Sequence, residues 1–278
     1  METAADRETE GRVAEPHIQV EKLEAYYGDR RILHDVDLSV GEGEIRVVMG
    51  GSGSGKSTLL RHMLSLNKPA SGTVRLFGKD INRLPYSELH QLRRRMGVSF
   101  QGGALFNSLT VEENVAFPLR EHTRLDENTI RIMARMKLEV VNLAGFEKLM
   151  PAQLSGGMIK RAALARAIVM DPSLLFFDEP SAGLDPVVSA DLDELILRLR
   201  DAMGMTIIVV THELDSAFRI ADKITVLDKG RILITGSVDE VRNSDNERVQ
   251  NLLNRRAEDI LVDPDEYLQR LTDDLSGI

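Results

Sequence analysis

One octapeptide limits this chain more than any other feature. Gly50-Gly51-Ser52-Gly53-Ser54-Gly55-Lys56-Ser57 lies between an apolar run, Ile45–Met49, and a stretch with helical spacing from Lys56 to about Leu66. Glycine at these positions lets successive backbone N–H groups curl around an anion without a Cβ in the way. The N-terminus of the following helix adds its positive dipole end. The spacing G-x-x-x-x-G-K-[ST], set between a strand and a helix, is that of a cradle for nucleotide phosphates. Lys56 is placed to reach the β- and γ-phosphates and the Ser57 hydroxyl to ligate Mg2+, with Thr58 next along the helix. A glycine-rich turn without chemical consequence is the alternative, and the strand–loop–helix setting weighs against it.

Such a loop needs an acidic partner for the metal. Leu174-Leu175-Phe176-Phe177 is a continuous apolar run, as expected of a parallel strand buried on both faces, and Asp178-Glu179 follows it directly. A carboxylate at the end of a buried strand sits where α/β sheets place their ligands. Asp178 is expected to hold Mg2+ through water, and Glu179 suits a general base for an attacking water. A second buried strand, Thr206–Val210, leads into Thr211-His212-Glu213, which puts His212 where it can bond both the γ-phosphate and that water. Taken alone, an acidic pair there is as readily a solvated strand end, and a single histidine is more often structural.

Composition narrows the partners. The 278 residues are 42% hydrophobic and 28% charged, ordinary for a globular α/β domain with an insertion. A formal net charge of −9 lacks the basic footprint that nucleic acid requires. There are no cysteines, which excludes disulfides, thiolate metal sites and cysteine nucleophiles. No run approaches the roughly 20 apolar residues that span a bilayer, so a role at a membrane needs a channel supplied by another chain. Residues 1–15 read as an acidic, disordered leader without a signal-peptide core.

Along the chain, β-branched alternation from His17 to Val48 breaks at Gly28–Arg30 and Gly41–Gly43. Short strands are expected at Val74–Phe77 and Met96–Phe100, with a charged helix over Glu88–Arg95 between them. From Gln101 to Ile168 the pattern turns helical. Asp126 is placed to cap a helix reaching about Leu143, with Ile130, Met133 and Val140 on one side, and a second helix starts near Ser155. Pro186–Met203 carries Leu192, Leu195, Ile196 and Leu199 at helical spacing and closes at Gly204. Lys223–Thr235 reads as a hairpin turned at Asp228-Lys229-Gly230. Ser244–Arg255 opens on a Ser-x-x-Glu capping box, and Pro264–Leu275 also reads as helical. The expected units are a domain over 16–245, with a helical part at about 102–168, and a tail at 246–278.

Leu154-Ser155-Gly156-Gly157-Met158 sets this chain apart from other phosphate-loop proteins. It resembles the signature sequence of ABC ATPases, and the stretch LSGGMIKRAALARAI from Leu154 to Ile168 is similar to their signature helix. The resemblance implies the fold of that family: a RecA-like parallel sheet core with an antiparallel β subdomain and a helical insertion. It also implies that Ser155, Gly156, Gly157 and Met158 act in trans, on ATP bound to the Gly50–Ser57 loop of a second copy in a head-to-tail dimer. Tyr27, just before Gly28, corresponds to the aromatic that stacks on adenine, although a tyrosine there can equally be core. Gln101 corresponds to the glutamine that senses the γ-phosphate and Mg2+. Asp185, in Ser181-Ala182-Gly183-Leu184-Asp185, belongs to the loop that communicates across the dimer.

Met158, where the signature usually ends in glutamine, and FQGGALFNSLTVEENVAFPL from Phe100 to Leu119 resemble the ATPases of Mla/MCE-type lipid transporters of Gram-negative envelopes and chloroplasts. That resemblance implies a cytoplasmic ATPase held at the inner membrane by transmembrane permease subunits, with an MCE-domain lipid-binding partner. It also implies a groove for a permease helix, for which Leu105, Phe106, Val115, Phe117 and Leu119 are candidates, unless they pack the insertion's own core. The tail beyond about Asn254 departs from that pattern. Other readings are the ATPase of an amino acid or metal importer, a soluble cassette of ribosomes or chromosomes, and a nucleotide-binding module that does not hydrolyse. Ribosomal cassettes are paired with basic linkers, and repair cassettes are split by coiled coils, neither of which occurs here. Modules without turnover usually lack the base or the histidine, and this chain keeps Glu179 and His212.

Overall fold

The two apolar runs that read as buried strands are hydrogen-bonded neighbours. In the computed structural model, which describes residues 15–256, β7 (Leu174–Asp178) pairs in parallel with β8 (Thr206–Thr211), which in turn pairs with β3 (Ile45–Met49). β6 (Met96–Ser99) flanks β7, and β9 (Lys223–Asp228) flanks β3. β10 (Arg231–Gly236) closes the far edge antiparallel to β9, giving the order β10-β9-β3-β8-β7-β6. A second, antiparallel sheet joins β2 (Arg30–Val40), β1 (Ile18–Tyr27), β4 (Ser71–Leu76) and β5 (Lys79–Asp80) in that order.

Side-chain alternation along the parallel strands divides the core in two. Ile45, Val47, Met49, Leu175, Phe177, Ile207 and Val209 face the helical insertion and the helices α6 (Pro186–Met203) and α7 (Leu214–Ile220). Val48, Leu174, Phe176, Ile208 and Val210 face the antiparallel sheet and α1 (Lys56–Met63). Both faces are covered, which is why these strands lack a polar side. Arg46 lies within β3 with only 2% of its surface exposed. Its guanidinium donates to Glu44 at 2.7 Å, to Thr225 Oγ1 on β9 at 3.1 Å and to the Ser39 carbonyl on β2 at 3.0 Å. A buried cation is tolerable there because every direction it donates in is met.

The insertion consists of α3 (Val111–His122), α4 (Glu127–Val140) and α5 (Gly156–Ile168), after a short charged helix, α2 (Tyr86–Arg93). Asp126 caps α4, accepting from the Thr129 N–H at 3.0 Å. α3 was not separately placed by the sequence reading, although Thr110 and Glu113 form a complete capping box at its start. The buried side of α4 is Ile130, Ala134 and Leu138. Val140 is 45% exposed, a correction that follows from its position one hundred degrees per residue further round the helix. Val115 and Leu119 are fully buried and Leu105 packs on the same core, so of the five apolar groove candidates only Phe106 and Phe117 line an open recess.

Helix ends depart from the sequence reading at four helices. α2 covers Tyr86–Arg93 in place of Glu88–Arg95, and α4 stops at Val140 and not about Leu143. α1 stops at Met63 rather than about Leu66, because Ser65 adopts φ 54° and the Leu66 N–H turns back to the Arg61 carbonyl at 2.9 Å. The helix expected over Ser244–Arg255 is α9 (Glu247–Leu253), capped by Asn246 and not by Ser244. Ser244 instead closes the end of α8 (Val238–Arg242), and the Ser-x-x-Glu box forms at Ser237 and Glu240, at the start of α8. Val249 of α9 is buried in the main core, and Arg248 pairs with Asp228 at 2.6 Å. Most of the expected leader and the helix at Pro264–Leu275 lie outside the described residues.

Asn114 holds the insertion's entry. It is fully buried on α3; its Oδ1 accepts from the Phe106 N–H at 2.8 Å, and its Nδ2 donates to the carbonyls of Phe106 and Leu109 at 3.1 Å and of Thr110 at 3.0 Å. Asn114→Ala removes the partner of the part-buried Phe106 N–H and Leu109 carbonyl and should lower the unfolding free energy by about 1–3 kcal/mol. Denaturant titration checks this; a loss below about 0.5 kcal/mol, ordinary for a surface change, would contradict the assignment.

Candidate functional site

Because β6, β7, β8 and β3 are consecutive in the sheet, their carboxyl ends deliver four loops to one edge. The Gly50–Gly55 loop leaves β3, His212 follows β8, Asp178 and Glu179 end β7, and Gln101 follows β6. They border a cleft of about 860 Å3 lined by Gly50, Gly51, Ser52, Gly53, Lys56, Ser57, Gln101, Glu179 and His212. Asn251, Leu252, Arg255 and Arg256, at the end of α9, form its rim.

Within the loop the glycines do different work. A Cβ on Gly50 would lie 2.1 Å from the Leu227 carbonyl oxygen, and Gly55 has φ 106° with Leu33 at 2.8 Å from its Cβ position. These two let the loop pack against its own domain. Gly51 and Gly53 have nothing within 4 Å on that side, and Gly53 has φ 75°. Both line the cleft, where a phosphate would sit. Ser54 is buried beneath the loop, Thr58 is half-buried in the first turn of α1, and the leading N–H groups of α1 have no partner inside the helix. Lys56 folds over the loop, its Nζ donating to the carbonyls of Gly50 at 2.8 Å and Gly51 at 2.9 Å. Burial pulls its pKa below the usual lysine range, against the opposing charges of Glu179 and Asp178.

Glu179 is 9% exposed and has φ 50°, a left-handed conformation uncommon outside glycine. Its N–H is held by the Val210 carbonyl at 2.8 Å. Its Oε2 accepts from the Thr211 hydroxyl at 3.1 Å and the His212 N–H at 3.3 Å, and lies 2.9 Å from His212 Nδ1. The carboxylate is therefore fixed by β8, the adjacent strand. Burial, then the neighbouring Glu179 charge, pushes the Asp178 carboxyl above its usual range, with Arg61, Lys56 and Lys160 opposing. A cation near Asp178 would relieve that pressure. Ser57, Gln101 and Asp178 are all oxygen donors, the chemistry Mg2+ prefers when phosphate oxygens complete its shell.

Other sequence candidates stand apart from this cleft. Ser155 caps α5 and accepts from the Met158 N–H at 3.3 Å, with Ser155 and Gly156 exposed. A Cβ on Gly157 would come within 2.8 Å of Val188, and one on Gly156 within 3.9 Å of Leu184. The signature therefore packs beside the loop that ends at Asp185, which caps α6 through the N–H groups of Val187 and Val188. Met158 packs against the main core. Tyr27 is 85% exposed at the end of β1, which excludes the core alternative.

A model of the ABC transporter family matches residues 33–182, more than half of the chain. The chain belongs to the ABC transporter ATPase family. Among its relatives, the intermembrane phospholipid transport system ATP-binding protein MlaF of Haemophilus influenzae is 44% identical over 236 residues, covering 85% of the cassette and 89% of that protein. The probable ribonucleotide transport ATP-binding protein mkl of Mycobacterium leprae is 41% identical over 239 residues, covering 86% of the cassette and 69% of the relative. A dimeric ATP-binding cassette in a post-hydrolysis state with ADP and Pi superposes with TM-score 0.73 at 32% identity, covering 80% of this cassette and 98% of that chain. CbiO1 from Clostridium perfringens, part of the cbiONQ transporter complex, gives TM-score 0.76 at 29% identity, covering 92% and 99%. The cassette is thus an ATP-hydrolysing enzyme with the expected α/β fold.

Sequence reading missed two cations of α5. Lys160 donates to the Glu179 carbonyl at 3.0 Å and also to the Gln101 carbonyl. Arg166 donates to the carbonyls of Gly103 at 2.8 Å and Ala104 at 2.7 Å. Both lie in the Leu154–Ile168 stretch that resembles the signature helix, but nothing local in that stretch marks the carbonyls they reach. The α9 residues at the cleft rim were equally unmarked.

The two kinds of glycine give a paired prediction. Gly50→Ala, which meets backbone, should lower both the melting temperature and nucleotide affinity. Gly51→Ala meets no protein atom and should melt as wild type while weakening nucleotide binding, because its methyl enters the cleft. Thermal unfolding and equilibrium nucleotide titration of both variants check this. Equal melting losses for the two would contradict the division.

Proposed function

We propose that this cassette is the ATP-driven motor of a phospholipid transporter, working as a head-to-tail pair of copies on a separate permease. The observation that carries the motor reading is the cleft in which Lys56, Ser57, Gln101, Glu179 and His212 converge at the ends of adjacent parallel strands. The phospholipid cargo rests on the 44% identity to MlaF over 85% of the chain.

In this reading the Gly50–Gly55 N–H groups and Lys56 hold the β- and γ-phosphates, and Tyr27 stacks on adenine. Ser57, Gln101 and Asp178 would hold Mg2+, which would supply charge neutralisation at the transferring phosphoryl group. Glu179 takes a proton from the attacking water as that water's oxygen bonds to the γ-phosphorus and the bond to the ADP oxygen breaks. His212, anchored to Glu179, orients the water and the γ-phosphate. Ser155, Gly156, Gly157 and Met158 of one copy close on the nucleotide of the other, and Asp185 sits at the seam. None of Ser155–Met158 lines the cleft of the same chain's phosphate loop, which supports pairing between copies.

No helix among the described residues is long and apolar enough to cross a membrane. The proposed location is therefore peripheral, on the cytoplasmic face of the inner membrane through permease subunits, with an MCE-domain protein as the lipid-carrying partner. The permease contact is the recess of about 310 Å3 beside Phe106 and Phe117, whose rings sit 4.8 Å apart, rimmed by Arg93, Arg94 and Arg166. A ribonucleotide cargo is the competing reading, favoured by the 41% identity to mkl. Solute import of amino acids or metals has less support from the relatives.

Glu179→Gln keeps the shape of the site but cannot accept the proton. It should reduce steady-state ATP turnover by about a thousandfold, within the range for loss of a general base, while ATP still binds and sedimentation shows an ATP-trapped dimer. Turnover at the wild-type rate would refute the assignment. For the cargo, the intact complex purified in mild detergent should contain a permease, an MCE-domain protein and extractable phospholipid. A complex with a periplasmic solute receptor, or ATPase stimulated by a ribonucleotide, amino acid or metal in place of lipid, would refute the phospholipid reading and leave the ATPase intact.

A further inference from the structure

α5 begins at the exposed signature, away from its own chain's nucleotide cleft, yet it enters that cleft's wall one turn later. Lys160 is 8% exposed, and its ammonium group sits between two loops that converge on the cleft. It donates to the backbone carbonyl of Glu179 at 3.0 Å and to that of Gln101. Further along the same helix, Arg166 holds Gly103 and Ala104. One rigid helix therefore grips both segments that carry the groups around the γ-phosphate position.

Three features make this more than packing. Among the buried residues of α5 Lys160 is the one charged side chain, the others being the apolar Ala162, Ala163, Leu164, Ala165 and Ile168. Burial disfavours the ammonium group there and lowers the Lys160 pKa, with the charges of Glu179 and Asp178 opposing the shift and the two carbonyls accepting its protons. Glu179 and Ala104 both have positive φ, 50° and 49°, conformations that persist where the surroundings over-determine them. Finally, the grip is on the Glu179 carbonyl and not on its carboxylate, which stays with Thr211 and His212. The contact fixes where the base sits without taking up the oxygens that would accept a proton.

We propose that Lys160 is a positioning residue that couples the signature helix to its own chain's Gln101 and Glu179. Engagement of Ser155 with the partner copy's nucleotide then moves, through α5, the backbone that sets this chain's base. The inference rests on the roles given above to Glu179 and Gln101. Lys160 itself touches no reacting atom.

The test uses the full chain, with Lys160→Met, which removes the donors, and Lys160→Gln, which keeps two N–H groups without charge. Titration with a β,γ-imido ATP analogue should give affinities within about twofold of wild type, since the phosphate loop is untouched. Lys160→Met should lower kcat by about a hundredfold, the scale of a 1 Å misplacement, and Lys160→Gln should recover part of it. Dimers purified through two tags then separate cis from trans. Pairing Lys160→Met with Glu179→Gln leaves one working base, in the Lys160→Met chain, facing an intact signature helix. That dimer should be impaired relative to wild type paired with Glu179→Gln. Equal activity of the two dimers would overturn the proposal, as would a kcat loss matched by the same loss of analogue affinity. Lys160→Gln serves the same comparison if the methionine variant does not fold. If the Glu179→Gln homodimer itself turns over ATP, the reading of Glu179 fails instead.

Discussion

The ladder of parallel hydrogen bonds across β6-β7-β8-β3 sets every distance at the cleft. β3, β7 and β8 contribute their final residue or the one just beyond it, and β6 the second residue beyond its end, so the register between strands becomes the register between chemical groups. Asp178 pairs with Val210 and Met49 with Thr211, which brings the acidic pair, the histidine and the phosphate loop to one level. A one-residue slip of any strand would turn its apolar side chains to the wrong face. The two hydrophobic cores on either side of the sheet forbid such a slip. Burying the strands on both faces thus also holds the site in alignment.

Polar groups inside this frame act as clamps at places where backbone must stop being regular. Arg46 spans from β2 to β9, Asn114 ties the segment before α3, and Lys160 and Arg166 hold the loop after β6. Their donors are met by carbonyl and hydroxyl oxygens and, for Arg46, also by the Glu44 carboxylate. That matters because a buried donor left without a partner destabilises by an amount comparable to the bond itself. Such clamps allow Glu179, Ala104 and Gly103 to keep left-handed backbone that short loops would otherwise relax.

The signature at the start of α5 and the loop ending at Asp185 pack against one another through Gly156, Gly157, Leu184 and Val188, and the phosphate loop opens elsewhere. The signature and the cleft of one chain are thus separate, since none of Ser155–Met158 lines the cleft. The link between them inside the chain is α5, anchored at its far side to the cleft's own backbone. A net charge of −9 on each copy opposes close approach, so a bound polyanion between copies would need the cationic loop, helix termini and metal to compensate it.

What the sequence determined by itself was whatever depends on neighbours along the chain. The phosphate loop between strand and helix, the apolar runs before Asp178 and His212, the cap at Asp126 and the Pro186–Met203 helix closed at Gly204 all follow from local sterics and periodicity. Tertiary structure alone decided the rest. Lys160 finds Gln101 59 residues away and Arg166 finds Ala104 62 residues away, with no spacing rule to connect them. Val115 and Leu119 were as apolar as Phe106 and Phe117, and only the packing of α3 on α4 and α5 assigned the first pair to the core and the second to a recess. Ser237 and Ser244 carry the same Ser-x-x-Glu pattern, and the end of α8 chose between them. Local rules fix which conformations a segment can adopt, whereas long-range contacts decide which surfaces stay open and which polar groups must find partners, and that information is spread over the whole chain.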